Sequence, residues 1–286
     1  MNNINDISPQ DNKYLKVLCS IAKPPEKLYY IGSLPQERVT TVAIVGSRRP
    51  TAYGKEVTAL IASNLARHGI AIVSGLALGV DGIAHQSALQ AGGLTIAVLG
   101  NGLPQIYPAS HRGLATNIIQ NHGAIITEYA PHTAPRGYQF LERNRLVSGL
   151  ADAIVITEAS SRSGTLNTAA HALEQGKDVF VVPGNITSPL SQGCNNLLKQ
   201  GALPITSPDD ILTVIAPQSH SENATLPLGA TPLESDIIAL IQKGLRDGEE
   251  MQRHLNVTAS DFNIALTMLE VNGVIRSLGA NQWTLP

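Results

Sequence analysis

The stretch VAIVGSRRPTAYGKE, residues 42–56, decides the fold of this chain. The apolar run at 42–45 ends in a glycine and a serine, as a buried strand does before a tight turn into a helix. In a parallel sheet, such turns gather backbone N–H groups that can hold an anion. Arg48 and Arg49 follow where a dinucleotide-binding turn would carry further glycines. The stretch therefore predicts a parallel sheet with an arginine-bearing phosphate turn.

Apolar runs of the same kind recur along the chain. They lie at 28–32, 70–75, 95–100, 124–128, 153–157, 179–184 and 203–206. The segments between them, such as 54–69 and 81–93, space apolar residues three and four positions apart and end in glycine, which is typical of helices. Strands that alternate with helices at this interval predict the α/β class, with a doubly wound parallel sheet.

Composition predicts four parts in the chain. Residues 1–27 are expected to form a short helical segment around 12–22, residues 28–215 the α/β domain, and residues 216–230, rich in Ser, Asn, Pro and Ala, a linker. Residues 231–286 show three helical patterns and a hairpin, the outline of a winged helix. This last part carries four Lys and Arg against seven Asp and Glu, so a protein-interaction role suits it at least as well as DNA binding.

Charge and cysteine usage limit the possible classes of function. The net charge is −2, so any anion site must be local. Residues 41–210 hold eight Arg but three Lys, and arginine presents the planar fork of donors that matches phosphate. Two distant cysteines argue against a disulfide scaffold or zinc ribbon, and the histidine spacing suggests no metal site. Without an apolar leader or a membrane-spanning segment, the expected location is the cytoplasm.

Two familiar nucleotide motifs fail on this sequence. A Walker A loop would need Ser or Thr after Gly54 and Lys55, where Glu56 stands, and a glycine where Arg49 stands. The dinucleotide pattern G-x-G-x-x-G has only Gly46 after the first strand. NTP hydrolysis and nicotinamide chemistry therefore lack support, no nucleophile–base pair is evident, and we expect a protein without enzyme activity or cofactor.

The segment 137–153 adds a second group of candidate ligands. Arg143, Asn144 and Arg145 precede an apolar helical pattern, with Phe140 just upstream. Arginine takes phosphates, asparagine can bond a base edge or a sugar, and an aromatic ring offers a stacking face. This combination suits a ligand made of a backbone and bases, although a helix start with solvated arginines would give the same pattern.

Taken together, these blocks resemble the DNA-processing protein A family, DprA, also called Smf. The resemblance is carried by VAIVGSR (42–48), SGLALGVDGIAH (74–85), TIAVLGNGLPQIYP (95–108), FLERNR (140–145), SGTLNTA (163–169) and VFVVPGN (179–185). It runs from about residue 14 to 212, and the C-terminal part is similar to the family's winged-helix appendage. The resemblance implies an extended Rossmann domain that binds single-stranded DNA without sequence preference. It also implies a homodimer, with its contact near 188–202, that loads the recombinase RecA during natural transformation.

The resemblance also implies site residues. The matching motif positions are Gly46, Ser47, Arg48, Ser74, Gly75, Gly79, Asp81, Arg143, Asn144, Arg145, Ser163, Gly164 and Thr165. Arg112 alone represents the basic helix that the family usually carries after Tyr107-Pro108. Arg49 and Phe140 join the candidate DNA-binding set from their positions in the sequence. The family usually reads Phe-Pro where this chain has Phe140-Leu141, a departure that predicts a looser turn, and Glu142 adds a negative charge.

Two other functions compete with this interpretation. Phosphoribohydrolases that resemble lysine decarboxylases share a Rossmann-like fold and carry P-G-G-x-G-T-x-x-E, but Thr168 stands at the position of their catalytic glutamate. Threonine cannot act as that carboxylate, and neither Glu158 nor Glu174 is an obvious substitute. A transcription regulator that uses the winged helix is the other alternative, and the acidic balance of residues 231–286 argues against it.

Overall fold

A computed structural model describes residues 3–215, 231–272, 274–279 and 281–284 of the chain. The chain divides into two compact units, one before and one after residue 217. The predicted linker at 216–230 lies outside the described residues.

The first unit alternates strands and helices. Its strands are β1 (Asn5–Ile7), β2 (Leu28–Gly32), β3 (Thr41–Val45), β4 (Ala71–Ser74), β5 (Thr95–Val98), β6 (Ala124–Thr127), β7 (Ala153–Ile156), β8 (Asp178–Val181) and β9 (Leu203–Pro204). Its helices are α1 (Ala52–Arg67), α2 (Val80–Gln90), α3 (Arg112–Gln120), α4 (Gly137–Leu150), α5 (Thr165–Glu174), α6 (Gln192–Lys199) and α7 (Asp209–Ile215). Each predicted apolar run forms a strand, to within a few residues at its ends.

In the described part of this unit, nine strands form one sheet in the order β1-β2-β6-β5-β4-β3-β7-β8-β9. The seven strands from β6 to β9 in this order are parallel. At one end of the sheet, β1 pairs antiparallel with β2, and β2 pairs antiparallel with β6. The sequence did not predict these antiparallel pairings. The expected α/β class with a doubly wound parallel sheet is confirmed.

Strand β3 shows why the fold needs apolar residues at consecutive positions. Val42 and Ile44 pack on one face of the sheet with the apolar side of α1. Ala43 and Val45 pack on the other face in a cluster that contains Leu146 of α4. Because helices cover both faces of the sheet, every side chain of β3 is buried, whichever face it points to.

The N-terminal segment differs from the predicted helix around 12–22. It contains short 3₁₀ helices at Pro9–Asp11 and Leu15–Ser20 instead of an α-helix. Asn12 begins the second of these by accepting a hydrogen bond from the Leu15 N–H at 3.0 Å. Tyr14, Leu15 and Leu18 are fully buried in the core of the first unit, so packing against the sheet fixes this short segment where propensity alone would favour a longer helix.

The second unit contains helices α8 (Pro232–Gln242), α9 (Gly248–Leu255) and α10 (Ala259–Val271), followed by strands β10 (Arg276–Gly279) and β11 (Gln282–Thr284). The two strands pair antiparallel. A separate apolar core that includes Ile237, Met251 and Phe262 holds the three helices. The assignment of these elements to a winged helix stays a prediction.

Within the described ranges, no helix has the length and apolar character needed to cross a bilayer. The same residues contain no cluster of three or more His, Cys, Asp or Glu side chains arranged to hold a metal ion.

Candidate functional site

The sheet order creates a crevice at the carboxyl end of β3. Strand β3 has β4 on one side and β7 on the other. From β4 the sheet continues in one direction and from β7 in the other, which makes β3 a topological switch point. Ligands bind at such a point in open α/β sheets. A cavity of about 390 Å³ opens there. We call it the switch-point cavity. It is lined by Val45, Gly46, Arg48, Ala77, Asp81, Phe140, Leu141, Arg143, Asn144, Ser163, Gly164, Thr165 and Thr168.

The first turn, residues 46–49, forms one rim of this cavity. The Ser47 N–H donates to the Glu158 carbonyl at 2.8 Å, and the Ser47 carbonyl accepts from the Val80 N–H at 3.1 Å. These bonds fix the backbone of the turn and leave the Arg48 side chain exposed. Among the described residues, Arg48 makes no ion pair, so its guanidinium is available to an anion.

Glu158, two positions after the end of β7, lies at the N-terminus of α1. Its buried carboxylate accepts the Thr51 backbone N–H at 2.9 Å and the Thr51 hydroxyl at 2.5 Å. A Cβ at Gly54 would fall 2.4 Å from the same carboxylate, so glycine is needed there. A helix N-terminus attracts anions, and here the protein supplies its own. Sequence reasoning missed this role; a glutamate shortly after an apolar strand was the available signal.

The second turn, residues 75–79, is filled by another internal carboxylate. Asp81 accepts the N–H groups of Gly75 at 3.0 Å and of Ala77 at 3.3 Å. Burial raises the pKa of Asp81, and the nearby charge of Arg143 opposes that rise. Gly79 has φ of 77°, and a Cβ on it would meet the Ser47 carbonyl oxygen at 2.4 Å. The second turn therefore packs closely against the backbone of the first turn.

Arg143 lies inside the site and not on its surface. Only 4% of the residue is exposed, and its Nη1 donates to the carbonyl oxygens of Gly75, at 2.7 Å, and Val98. Burial lowers the pKa of Arg143 to about 10, against the opposing effect of Asp81, so it remains a cation at neutral pH. Its guanidinium places positive charge against the second turn, and its Nη1 donors are already used by the protein.

Residues of α4 and α5 form the opposite wall. The Thr165 hydroxyl donates to the Gly46 carbonyl at 3.1 Å, and the Thr165 N–H donates to the Ser163 hydroxyl at 3.1 Å. The Asn144 amide donates to the Gly164 carbonyl at 3.4 Å. In the described part of the chain, the backbone N–H groups of Arg48 and Gly164 donate to no protein acceptor. The cavity is thus lined by an exposed arginine and by two residues, Arg48 itself and Gly164, whose backbone N–H groups have no protein acceptor among the described residues.

An aromatic pair borders the cavity on the side of α4. The ring centroids of Tyr107 and Phe140 lie 5.3 Å apart with a 33° angle between the planes. A smaller cavity of about 70 Å³ beside them is also lined by Arg48 and Leu78. Tyr107 and Leu78 remain about half exposed. Sequence reasoning selected Phe140 but not these two neighbours, although both stand in blocks that carry the family resemblance, 74–85 and 95–108.

Several predicted residues lie elsewhere, which corrects their placement. Ser74 is fully buried, and its hydroxyl donates to the Ile44 carbonyl at 2.6 Å, so it cannot touch a ligand. Arg145 points away from the switch-point cavity because it is two positions after Arg143 on α4; it pairs with Glu128 and lines a second cavity of about 450 Å³. Arg49 and Arg112 are exposed but do not line the switch-point cavity.

The departure at Leu141 also has a different consequence from the one expected. Phe140, Leu141 and Glu142 lie inside helix α4, so there is no turn for a missing proline to loosen. Glu142 accepts a hydrogen bond from the Tyr129 hydroxyl at 2.9 Å and lines the second cavity. Its negative charge is therefore directed away from Arg48.

The sequence profile of the family described as DNA recombination-mediator protein A matches residues 5–216. Protein Smf of Escherichia coli (strain K12) is 43% identical over 205 residues, which cover 71% of this chain and 55% of that protein. DNA processing protein DprA of Bacillus subtilis (strain 168) is 39% identical over 209 residues, covering 73% of this chain and 70% of that protein. The chain thus spans little more than half the length of the E. coli relative.

Solved structures are similar over the same region. The X-ray structure of DNA processing protein A from Streptococcus pneumoniae matches with a TM-score of 0.69 and 37% identity, covering 74% of this chain and 75% of that chain. A structure of DNA processing protein A from Helicobacter pylori matches with a TM-score of 0.65 and 35% identity, covering 74% of this chain and 97% of that chain. The latter describes the single-stranded DNA binding mode of the H. pylori protein.

Proposed function

The chain belongs to the DNA recombination-mediator protein A family, and on that premise we propose that its switch-point cavity binds the phosphate backbone of single-stranded DNA. The observation that carries the proposal is the position of Arg48. This exposed residue lines a cavity that is also lined by Gly164, whose backbone N–H has no protein acceptor in the described ranges. A phosphate between them would receive charge-assisted hydrogen bonds from both residues.

The two internal carboxylates favour a polynucleotide, and not a free nucleotide, as the ligand of the cavity. Glu158 and Asp81 already accept the N–H groups of Thr51, Gly75 and Ala77, which a free nucleotide's phosphates could otherwise have used. What remains is a shallow rim with one exposed arginine and few donors. Such a rim suits one phosphate of a chain that is held at several points in succession, because each contact contributes little alone.

The aromatic pair supports a single strand over a duplex. Tyr107 and Phe140 lie beside Arg48, where unpaired bases next to a bound phosphate could stack on a ring. Stacking tolerates every base, and phosphate contacts carry no sequence information. We therefore propose binding without sequence preference, through Gly46, Ser47, Arg48, Phe140, Asn144, Ser163, Gly164 and Thr165 as the contacting set. We propose a positioning role, without direct contact to the DNA, for Gly75, Gly79, Asp81 and Arg143.

The wider role proposed for the chain rests on its family and its relatives. The name of the B. subtilis relative describes DNA processing, and we propose a role in the processing of incoming DNA during natural transformation and recombination. We further propose that the chain acts in the cytoplasm as a homodimer that protects single-stranded DNA and loads RecA onto it. Thr168 lines the switch-point cavity where phosphoribohydrolases carry glutamate, and we propose that the chain has no hydrolase activity.

Fluorescence anisotropy tests the binding proposal. A labelled oligo-dT and a matched duplex are titrated over a salt series with the wild type, Arg48→Ala and Arg49→Ala. Single-strand preference is expected, with affinity that falls as salt rises. Arg48→Ala should weaken binding and reduce the salt slope by about 0.7, the value for one phosphate of a single strand. Arg49→Ala, an equal loss of charge outside the cavity, should change the slope less. Absence of single-strand binding by the wild type at low salt would overturn the proposal.

A further inference from the structure

Helix α10 of the second unit is apolar on two opposite faces. Its inner face buries Phe262, Ala265, Leu266 and Leu269 in the core of that unit. Its outer face leaves Ile264, Met268 and Val271 exposed by 61%, 47% and 76%. One buried face is what a helix on the surface of a small domain needs, so the second apolar face requires another explanation.

The three exposed residues form one continuous stripe. Met268 follows Ile264 by four positions and Val271 follows Met268 by three, which places all three side chains on the same side of a helix. Single exposed apolar residues are common on protein surfaces, whereas a contiguous row marks an interaction site. The spacing is the one by which two helices pack against each other through anchors at i, i+4 and i+7.

The charges of α10 argue against a nucleic acid as its natural occupant. Residues 259–271 carry Asp261 and Glu270 and no Lys or Arg. Asp261 stands three positions before Ile264, on the side of the stripe. A helix that enters a DNA groove needs cations toward the phosphates, and this helix would bring two carboxylates to them instead.

We propose that this stripe docks an amphipathic helix of another protein, one whose apolar face is flanked by Lys and Arg. The apolar row would supply the buried contact. Asp261 beside it, in a part of the chain with seven Asp and Glu against four Lys and Arg (231–286), would favour a cationic partner and disfavour an acidic one. The inference concerns the second unit alone and goes beyond the proposed DNA binding of the first.

Segments of this chain do not match the description of the occupant. Residues 216–230 contain no Lys or Arg. The cationic amphipathic segment at 12–23 is already used, because Tyr14, Leu15 and Leu18 are buried in the core of the first unit. A partner protein is therefore the occupant to which the proposal commits.

Methionine-methyl NMR on the full chain provides a direct test. The chain has three methionines, of which Met268 lies in the stripe and Met251 is fully buried in the core of the same unit. The Met268 signal is assigned by its loss in Met268→Leu. Two helical peptides with the same leucine stripe are titrated, one flanked by lysine and the other by glutamate, together with single-stranded and duplex oligonucleotides.

The lysine peptide is expected to shift the Met268 signal while Met251 stays in place, and added salt should weaken the effect. The glutamate peptide should leave Met268 unchanged. The double substitution Ile264→Ser and Val271→Ser should raise the dissociation constant of the lysine peptide by about tenfold. Ile186→Ser, which removes a still more exposed apolar residue from the first unit, should leave it unchanged.

Four results would overturn the proposal. Equal shifts with both peptides would indicate non-specific hydrophobic binding without charge selectivity. No shift with either peptide would indicate that the stripe does not bind a helix. A shift caused by an oligonucleotide would return α10 to DNA binding. A Met268 shift that depends on protein concentration alone would identify a second copy of the chain as the occupant.

Discussion

The guanidinium of Arg143 lies directly against the backbone of Gly75. Its Nη1 donates to the Gly75 carbonyl at 2.7 Å, and a Cβ at position 75 would fall 2.4 Å from Nη2. The arginine thus shapes the second turn from within, and the turn can close over it only because position 75 carries no side chain. Arg143 and Asp81 therefore carry buried charges that hold the turns in place, whereas Arg48 carries an exposed charge that can bind a ligand.

Gly75→Ala should destabilise the first unit. The added methyl group must displace a buried guanidinium that is held by two carbonyls, and such overpacking costs about 1–3 kcal/mol. Gly113→Ala is the matched control, since Gly113 lies in α3 with no atom near its Cβ position; alanine there should raise the unfolding free energy by roughly 0.5–1 kcal/mol. Urea unfolding of both variants measures the difference. Equal stability of the two variants would contradict the close packing of Arg143 against Gly75.

Arg143→Met should lower the unfolding free energy by about 3 kcal/mol, because it leaves a buried carboxylate without its neighbouring cation and two carbonyls without a donor. Asp81→Asn in the same chain should recover part of this loss. A double-mutant cycle by urea unfolding measures the coupling between the two residues. Strict additivity would show that Arg143 and Asp81 do not act as one unit.

Glu158→Ala should create an anion site where the protein now places its own carboxylate. The variant is expected to lose about 2 kcal/mol of stability, as an emptied helix cap does. Inorganic sulfate should then restore part of the loss by binding the N-terminus of α1. Thermal unfolding with and without sulfate, compared at equal ionic strength, measures the rescue. Glu174→Ala, which removes an exposed carboxylate, is the control and should gain no extra stability from sulfate.

Phe140→Ala and Tyr107→Ala should each weaken binding of oligo-dT by about 10-fold to 100-fold, the range for loss of one stacked base. The salt slope should stay unchanged, because no phosphate contact is removed. Tyr138→Ala provides the control: this tyrosine is half exposed on the same helix and lines neither cavity beside Arg48. Anisotropy at several salt concentrations distinguishes the two effects. A reduced slope in Phe140→Ala would mean that the ring acts by positioning a phosphate ligand.

His85 should make the stability of the first unit depend on pH. Burial lowers the pKa of His85 to about 3, below the ordinary value of about 6.5. Below pH 6.5 the unfolded chain therefore takes up a proton that the folded chain does not, and stability falls as the pH decreases toward 3. The loss is at most about 1.4 kcal/mol per pH unit. His85→Met should flatten this part of the profile from urea unfolding, while His122→Asn, at an exposed histidine, should keep the wild-type slope.

The sequence by itself determined the sheet and the location of the site. Runs such as 42–45 are apolar at every position, and only a strand covered on both faces by helices buries all of them. In a parallel sheet the ends of those strands must meet at one edge, so the turns after β3 and β4 were bound to lie together. Arg48 could be selected for the same reason, since it follows such a strand directly.

The tertiary structure alone decided which charged residues face the ligand. Arg143 and Arg145 stand two positions apart in the same motif, yet one is buried under Gly75 and the other pairs with Glu128. Asp81 and Glu158 fill the backbone donors that the glycine turns appeared to offer to a phosphate. A sequence shows which side chains can bind an anion, but not which of their donors the fold has already used. That depends on contacts between residues up to 119 positions apart, and those form only when the sheet has brought the turns together.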